Sequence, residues 1–401
     1  MMIKVTKRIG AILIIAIVCI IGFSVVLYSP EYMYRVLRYG ESDVRDYLIF
    51  PKNEIIKSER PFNYSYEIDD RIGKMKVTYS ISGELTESNL ESFLSSTNTM
   101  CFIVIHDDVV VFEEYYNGYS ESSINTSFST VKSMVSLLVG IAIDEGHIKS
   151  EDQLVEEFIE ELKGTEIGKV TIKDLLLMRS PIKYHEGLLW FDDDAKTYYM
   201  PDLRKLAISG TEIDPDYNGK FHYNNYHPLL LGIIIERSTG KSVTDYFEEK
   251  IWKKIGARHN ASWSIDSKES RFEKTESGLN FRAIDFAKVG SMLLHKGVWN
   301  ENRIVSEQWI DKSTVAEFPL VEEEYNGSFL ENKETGYQYM WYSTITQKLG
   351  IDYYALGKYG QFLYISPENN TAIVRTGINS GEVDWWPDIL KEVASKVANM
   401  N

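Results

Sequence analysis

The sequence contains 401 residues, of which 44% are hydrophobic and 25% are charged, as is ordinary for globular proteins. Its formal net charge of −16 at pH 7 argues against nucleic acid as a partner, because phosphate binding needs a basic surface. Of the two cysteines, Cys19 lies in an apolar segment and Cys101 stands alone outside it, which excludes an internal disulfide and a zinc–thiolate site. The seven histidines show no HExxH spacing, so neither a metal nor another cofactor is expected.

The chain begins with a basic segment and an uncharged apolar run. Residues 11–28 are 18 consecutive positions without a charge, which is just long enough to cross a bilayer as a helix. Three basic residues within residues 1–9 favour a cytoplasmic N-terminus. A cleaved signal peptide is the alternative, but the run is long and no small-residue cleavage site follows it. The sequence therefore predicts a cytoplasmic tail (1–9), a single transmembrane anchor (10–28) and an extracytoplasmic remainder at the cell membrane.

The remainder of the chain is acidic and predicts an α+β fold. Residues 29–401 hold 40 basic and 59 acidic residues, which argues against broad adhesion to anionic lipid. Residues 29–98 are polar with short strand-like pieces, and predict a stalk that enters a folded domain at residues 99–401. In that domain the sequence predicts a β-hairpin, many helices, three late strands and a closing helix. This order is typical of an antiparallel sheet flanked by helices.

A serine and a lysine stand at the head of the first long helix of that domain. Ser129 and Lys132 are three residues apart, so both lie on one helix face. Beyond Lys132 the helix is apolar on every side, which predicts that it is buried. Burial and the positive end of the helix dipole both lower the pKa of a lysine. A neutral lysine one turn from a serine can take the hydroxyl proton, and this pairing activates a weak serine nucleophile.

The S-x-x-K spacing alone is not specific. It recurs at Ser180 and at Ser238, but the first lies in a proline-containing loop and the second at a helix end. Neither context predicts a buried lysine. For Ser129 the alternative is an N-capping serine, with Lys132 extending outward to solvent.

Two motifs and their flanks are similar to those of a known enzyme family. Ser-Thr-Val-Lys at 129–132 is followed by Tyr-Asn-Asn at 223–225, just ahead of an apolar helix. This arrangement resembles the serine β-lactamase and penicillin-binding-protein family, whose signatures are S-x-x-K, then Y-x-N or S-D-N, then K-T-G on a strand. A rival Tyr-Tyr-Asn at 115–117 precedes the serine, which is the wrong order. The resemblance is to the class-C-like branch, covers about residues 100–398, and implies a β-lactamase-like domain with an all-helical subdomain.

The third motif of the family is missing. Ala-Leu-Gly at 355–357 stands in the place of K-T-G, while the chemically closer Arg-Thr-Gly at 375–377 lies too near the C-terminus. In the family the lysine or histidine of this motif helps to hold a substrate carboxylate, which Ala355 cannot do. The departure makes β-lactam hydrolysis and D-Ala-D-Ala peptidase action less expected. The segment looks more like that of the esterase and 6-aminohexanoate-dimer hydrolase branch.

The resemblance also implies roles for individual residues. Ser129 would attack an ester or amide carbonyl, and Lys132 would be the general base. Tyr223 would relay a proton to the leaving group, as a partial phenolate near Lys132. Asn225 would orient either Lys132 or the substrate amide.

Two backbone N–H groups would stabilise the oxyanion of the tetrahedral intermediate. One belongs to Ser129 and the other to Lys358, which follows Gly357. Because these donors are backbone groups, the loss of K-T-G leaves this function intact.

The loop at residues 183–200 is a candidate wall of the substrate pocket. Its carboxylates at 192–194 could bind an ammonium group, and Asn280 could also face the pocket. The alternative is a solvated acidic loop with aromatic packing. The aromatic candidates are Trp190, Tyr198 and Tyr199.

Together these features predict a membrane-anchored, extracytoplasmic serine hydrolase that acts through an acyl-serine intermediate. Its partners would be a small-molecule or peptide-like substrate and, through the N-terminal helix, the cytoplasmic membrane. Two alternatives stay open from the sequence. One is a catalytically silent binding or sensor module of the same fold, and the other is a true penicillin-binding enzyme.

Overall fold

The computed structural model describes residues 22, 24–187, 189–315, 335–344 and 351–400. Its strands are, in chain order, β1 (Lys52–Ile55), β2 (Ser65–Tyr66), β3 (Lys76–Ile81), β4 (Glu84–Asn89), β5 (Thr99–His106), β6 (Val109–Tyr115), β7 (Asn125–Thr126), β8 (Ala261–Ser264), β9 (Leu279–Phe281), β10 (Val298–Trp299), β11 (Asn302–Arg303), β12 (Thr335–Gln338), β13 (Trp341–Thr344), β14 (Tyr353–Gly357), β15 (Gln361–Ser366) and β16 (Thr371–Gly377).

The helices follow the same chain numbering. They are α1 (Pro30–Tyr39), α2 (Asp70–Lys74), α3 (Leu90–Ser96), α4 (Thr130–Asp144), α5 (Ile172–Leu176), α6 (Asp193–Tyr199), α7 (Leu203–Ser209), α8 (Tyr226–Thr239), α9 (Val243–Phe247), α10 (Ala283–Leu294), α11 (Glu307–Thr314) and α12 (Trp386–Ala398).

An eight-stranded sheet forms the centre of the fold. Its strand order is β12-β13-β14-β15-β16-β5-β6-β2, and all neighbours pair antiparallel except β2 and β6, which are parallel. The predicted hairpin is β5–β6, where Asp107 and Asp108 both take a positive φ, of 49° and 62°. A two-residue hairpin turn of this kind requires positive φ at both central positions. The prediction of an antiparallel sheet flanked by helices is confirmed.

The helices form two groups around this sheet. Helix α8 lies at the centre of one group and packs against α4, α5, α7 and α9, which forms the predicted helical subdomain. Helix α8 is buried on all sides over most of its length and ends at Gly240, whose φ of 69° is the left-handed value favoured at a helix C-terminus. In the other group, α10 and α12 pack on the central strands β15 and β16.

Residues 29–98 do not form a stalk. Helix α1 packs against α6, strand β1 pairs with β8 of a second, four-stranded sheet, and β2 extends the main sheet beside β6. Although the segment is polar in average composition, it contains apolar side chains that pack into the domain. Tyr32, Met33 and Phe93 are almost fully buried. The entry segment is therefore an integral part of the domain.

The predicted transmembrane anchor at residues 10–28 lies for most of its length outside the described residues. Within the part of the chain that the structure describes, no helix has both the length and the apolar character needed to cross a membrane.

Gly140 on α4 provides a direct test of the packing between α4 and α11. A Cβ at Gly140 would lie 2.3 Å from the ring of Trp309, which is fixed by a 3.1 Å hydrogen bond from its Nε1 to the Ser136 carbonyl. Gly140→Ala is therefore expected to lower the free energy of unfolding by about 1–3 kcal/mol, because the added methyl group overpacks the contact. Urea denaturation measures this loss.

The control is a double-mutant cycle with Trp309→Leu, which removes the ring. In that background Gly140→Ala should cost clearly less than in the parent chain. Equal costs in both backgrounds would show that the tryptophan ring does not restrict Gly140.

Candidate active site

Ser129 occupies the N-terminal end of α4 in a restrained backbone. It is the residue that precedes the helix, and its side chain makes no capping hydrogen bond to the helix backbone. Phe128 before it has a φ of 44°, a left-handed conformation that is costly for a residue with a side chain. The buried Phe128 ring packs edge-on against Tyr359, which holds this conformation in place. The Ser129 hydroxyl is left free of helix capping and is available for chemistry.

Lys132 is buried directly behind that hydroxyl. Its side chain does not extend outward, since the residue is only 2% exposed. Its Nζ donates to Ser129 Oγ at 2.7 Å and to the backbone carbonyl of Glu276 at 2.8 Å. Burial lowers the pKa of Lys132 to about 7, against the opposing charges of Glu276 and Asp194 and with help from the charge of Lys274. A large share of Lys132 is therefore neutral near pH 7.

Tyr223 lies on the other side of the pair. Its ring centroid is 5.0 Å from Lys132 Nζ, and its hydroxyl interacts with Ser129 and Tyr342. Burial raises the pKa of Tyr223 well above its ordinary value, although both hydroxyl interactions act in the opposite direction. This shift favours the protonated phenol over the expected partial phenolate. A neutral phenol in this position can still donate a proton to an atom that gains negative charge.

Asn225 does not orient Lys132 by a hydrogen bond of its amide. Its Nδ2 donates to the Tyr184 hydroxyl at 2.6 Å and to Thr197 Oγ1 at 3.3 Å. Its Oδ1 is buried and has no hydrogen-bond partner among the described residues, although Asn225 lines the cavity. Of the two roles predicted for Asn225, contact with a substrate donor fits this geometry.

Gly357 brings the end of β14 against the backbone of the serine. A Cβ at this position would lie 2.6 Å from the Ser127 carbonyl oxygen and 3.2 Å from the Ser129 nitrogen. Only a glycine permits so close an approach. The chain then turns at Lys358, whose side chain pairs with Glu41 at 2.8 Å. The end of β14 therefore lies directly against the backbone nitrogen of Ser129.

Arg375 stabilises this turn through hydrogen bonds to its backbone and does not line the cavity. Its guanidinium is buried and donates to the carbonyls of Tyr359 at 3.0 Å and Gly360 at 2.6 Å, and also to those of Thr97 and Asn379. The Arg-Thr-Gly segment therefore lies in β16 as a structural element. Ala355, in the place of the missing family lysine, is fully buried in β14.

A cavity of about 670 Å³ opens beside Ser129. Of the predicted loop residues, Tyr198, Tyr199 and Asp194 line it. The full lining consists of Val36, Gly40, Glu41, Ser42, Phe128, Ser129, Glu186, Gly187, Asp194, Ala195, Tyr198, Tyr199, Tyr223, Asn225, Glu276, Ser277, Tyr342, Leu356, Gly357 and Lys358.

Four predicted pocket residues do not line this cavity: Asp192, Asp193, Trp190 and Asn280. Trp190 packs instead in an apolar cluster with Tyr32, whose hydroxyl donates to the Trp190 carbonyl at 2.5 Å. Asn280 lies in β9, is 1% exposed, and donates to Ser264 Oγ and the Gly278 carbonyl, both at 3.0 Å. The side-chain amide of Asn280 is therefore engaged in hydrogen bonds at the four-stranded sheet, and the sequence pattern did not indicate this role.

Sequence reasoning missed a buried ion pair next to the catalytic candidates. Lys274 Nζ lies 2.8 Å from Glu276 Oε1, and both side chains are almost fully buried. Lys274 also donates to the Tyr198 carbonyl at 2.6 Å, while Glu276 Oε2 has no hydrogen-bond partner among the described residues. In the sequence, the alternating charges around Lys274 and Glu276 are typical of a solvated loop. No local pattern therefore indicated that this pair is buried.

The family profile named Beta-lactamase matches residues 88–376 of the chain. The match covers well over half of the sequence and includes Ser129, Lys132, Tyr223, Asn225 and Gly357.

The chain belongs to the β-lactamase family.

Three relatives illustrate the range of this similarity. The 6-aminohexanoate-dimer hydrolase of Paenarthrobacter ureafaciens is 26% identical over 312 residues, which are 75% of this chain and 76% of the relative. The structure of a candidate 6-aminohexanoate-dimer hydrolase from Bacillus anthracis aligns with a TM-score of 0.73 and 23% identity, over 90% of this chain and 94% of that one. A class C β-lactamase from Rhodobacter sphaeroides aligns with a TM-score of 0.54 and 14% identity, over 76% and 97%. Membership of the family and the hydrolase relative support a serine hydrolase of the amidase or esterase type.

The role of Lys132 in this β-lactamase-family chain can be tested by substitution and pH. Lys132→Ala is expected to reduce kcat/KM on a neutral acyl ester by roughly 100- to 10,000-fold, the usual contribution of general base catalysis. Lys132→Arg should fail as well, because arginine stays protonated and cannot accept a proton. In the parent chain, activity should rise with pH through about 7 as Lys132 loses its proton.

Lys183→Ala is the matched control, since Lys183 stands in the second S-x-x-K but pairs with Glu212 outside the cavity. It should retain parental kcat/KM. Near-parental turnover in Lys132→Arg would remove Lys132 from the role of base.

The ion pair between Lys274 and Glu276 predicts opposite shifts of the same pH profile. The charge of Lys274 lowers the pKa of Lys132, so Lys274→Met should move the midpoint of kcat/KM to higher pH. The charge of Glu276 raises it, so Glu276→Gln should move the midpoint to lower pH. Both variants keep the backbone carbonyl that binds Lys132. Shifts in the same direction would contradict an electrostatic origin, and the double variant, in which both charges are absent, should lie between the two.

Proposed function

We propose that this protein is a membrane-anchored serine hydrolase that cleaves an ester or amide bond through a covalent acyl-serine intermediate. The observation that carries the proposal is the 2.7 Å hydrogen bond between Lys132 Nζ and Ser129 Oγ, made by a lysine that is buried and has a pKa of about 7. A serine hydroxyl is a weak nucleophile until an adjacent base removes its proton. Neutral Lys132 is such a base near neutral pH.

Acylation follows from this geometry. Lys132 Nζ takes the proton of Ser129 Oγ as the oxygen attacks the carbonyl carbon, and the backbone N–H groups of Ser129 and Lys358 hold the oxyanion. As the bond to the leaving group breaks, the Tyr223 hydroxyl gives it a proton and recovers one from the Lys132 ammonium. The leaving alcohol or amine departs neutral. Attack of water on the acyl-serine ester then releases the acid and restores the Ser129 hydroxyl.

We infer further that the preferred substrate carries an ammonium group. The cavity is lined by Glu186 and Asp194, and neither of these carboxylates has an ion pair with a basic side chain in the described ranges. Desolvation, and after it the charge of Asp194, raises the pKa of Glu186, so the two carboxylates repel each other. Lys358 does not supply that cation because it is paired with Glu41. A substrate ammonium would relieve this repulsion.

The apolar walls of the cavity suggest the rest of the substrate. Val36, Tyr199 and Leu356 line it together with Phe128, so an aliphatic chain between the ammonium group and the scissile carbonyl would be covered on several sides. An ω-amino amide or an amino-acid ester has this pattern. The name of the Paenarthrobacter relative, 6-aminohexanoate-dimer hydrolase, describes a substrate of the same kind.

The location of the enzyme is part of the proposal. Residues 11–28 carry no charge and three basic residues precede them, which supports an anchor with its N-terminus in the cytoplasm. The acidic hydrolase domain would then lie on the outer side of the cytoplasmic membrane.

The substrate proposal is tested with Asp194→Asn and two matched esters of similar length, one with a terminal ammonium and one with a terminal methyl group. The variant should raise KM for the ammonium ester roughly 10-fold, the value of one charge-assisted hydrogen bond, and leave KM for the neutral ester unchanged. Asn keeps the shape that accepts from the Tyr184 hydroxyl. Initial rates with purified enzyme give both constants.

Asp192→Asn is the control on the same loop, because Asp192 accepts from the Leu189 backbone and does not line the cavity. Equal changes for both esters would contradict an ammonium subsite. Ser129→Ala serves as the blank. If a fluorescent penicillin but no fluorophosphonate labelled Ser129, the chain would be a penicillin-binding enzyme, and labelling by neither would indicate a silent module.

A further inference from the structure

Exposed apolar side chains of the domain are concentrated around helix α1. Among the residues that the structure describes, twelve large apolar side chains are exposed, and seven of them lie on α1, just before it, or on the segments that it contacts. These seven are Val26, Leu27, Tyr34, Leu37, Leu48, Leu189 and Phe191. We refer to them as the α1 face. Single exposed apolar residues are ordinary, but a group around one helix marks an interaction surface.

The two sides of the N-terminal segment are different in character. Its inner side packs on the domain, where Val25 and Tyr28 contact a cluster formed by Tyr32, Phe50 and Tyr199. Its outer side exposes Leu27 before Ser29 and, three residues apart on one face of α1, Tyr34 and Leu37. The segment therefore has an apolar surface on both sides, and only one of them is covered by the described residues.

The α1 face continues the uncharged run of the sequence without a flexible linker. Residues 24–28 are helical and form the end of that run. A single non-helical residue, Ser29 with a φ of 100°, separates the two helical segments. Its nitrogen donates to the Val25 carbonyl at 3.1 Å, and its carbonyl accepts from the Met33 nitrogen at 3.2 Å, so both segments end on this residue. A bilayer that holds residues 11–28 must consequently reach the level of α1. The domain cannot stand away from the membrane.

The composition of the α1 face suits the interface of a bilayer better than a protein partner. Tyr34 and Phe191 are aromatic, and aromatic side chains are enriched at the level of the lipid headgroups. Glu31 and Arg38 are exposed on the same outer side of α1, where headgroups and water can solvate both charges. A dry interface with a second protein would have to desolvate them.

We propose that the α1 face is immersed in the interfacial region of the lipid bilayer and docks the hydrolase domain directly on the membrane surface. The proposal rests on the anchor in the proposed function. It adds an orientation, because α1 and the turn after it also wall the cavity through Val36, Gly40 and Ser42. The mouth of the active site is then held beside the membrane surface. Since residues 29–401 are strongly acidic, the docking depends on apolar contact and does not require anionic lipid.

The test uses the full-length chain reconstituted in phosphatidylcholine vesicles, with an environment-sensitive fluorophore on single introduced cysteines. The labelled positions are Leu37→Cys and Phe191→Cys on the α1 face, with Leu85→Cys as the control, because Leu85 is 79% exposed on strand β4. Cys19 is replaced by alanine, and Cys101 is buried at 1% exposure and should not react. Phosphatidylcholine brominated on the acyl chains is the quencher.

Brominated lipid should reduce emission at positions 37 and 191 roughly twofold and leave position 85 unchanged, as expected for side chains at the depth of an interfacial helix. Quenching at 37 and 191 no greater than at 85, in protein that floats with the vesicles, would overturn the docking while the anchor stands. Failure to float would overturn the anchor and the docking together. Concentration-dependent crosslinking through Leu37→Cys without lipid quenching would assign the face to a second copy of the chain, and would also overturn the proposal.

Discussion

The hydrogen bond from Lys132 Nζ to Ser129 Oγ is the interaction on which the chemistry of this domain depends. Its 2.7 Å length requires the lysine to be buried one helical turn from the serine, and that burial is also what lowers the pKa of Lys132 to about 7. If Lys132 had only apolar neighbours, the cost of removing its ammonium form from water would be uncompensated. The carbonyl of Glu276 accepts a second hydrogen bond from Nζ at 2.8 Å and helps to fix its orientation.

Several parts of the fold serve to bring distant backbone segments to that pair. The end of β14 reaches the Ser129 nitrogen only because Gly357 lacks a side chain, and Arg375 of β16 fixes the next turn by binding the carbonyls of Tyr359 and Gly360. The N-terminal segment lines the cavity next to this turn, where Glu41 pairs with Lys358. A wall of the pocket and the proposed membrane contact are therefore formed by the same helix, α1, which links the position of the domain on the membrane to access to the site.

Much of this organisation was predictable because it is encoded locally. Periodicity predicted the β5–β6 hairpin, the buried helix that carries Lys132, the late strands and the closing helix. The order of the motifs at 129–132 and 223–225 predicted the family. The position of Arg-Thr-Gly too near the C-terminus argued against it as the third motif, and Arg375 does not line the cavity. The stalk predicted at residues 29–98 was wrong because its position depends on contacts that are distant in sequence. Its short strands pair with β8 and β6, and the polar average composition of the segment does not reveal this pairing.

The sequence by itself determined that a lysine follows a serine by one turn at the head of an apolar helix, and that the helix must be buried. Tertiary structure decided everything that depends on contacts between segments distant along the chain. It placed the half-buried Tyr223 beside Ser129, where desolvation raises the pKa of the phenol, turned Asn280 into a link within a sheet, and moved Trp190 out of the cavity. It also placed the buried pair of Lys274 and Glu276 beside Lys132. Desolvation and through-space charge set these outcomes, and neither has a local signature in sequence.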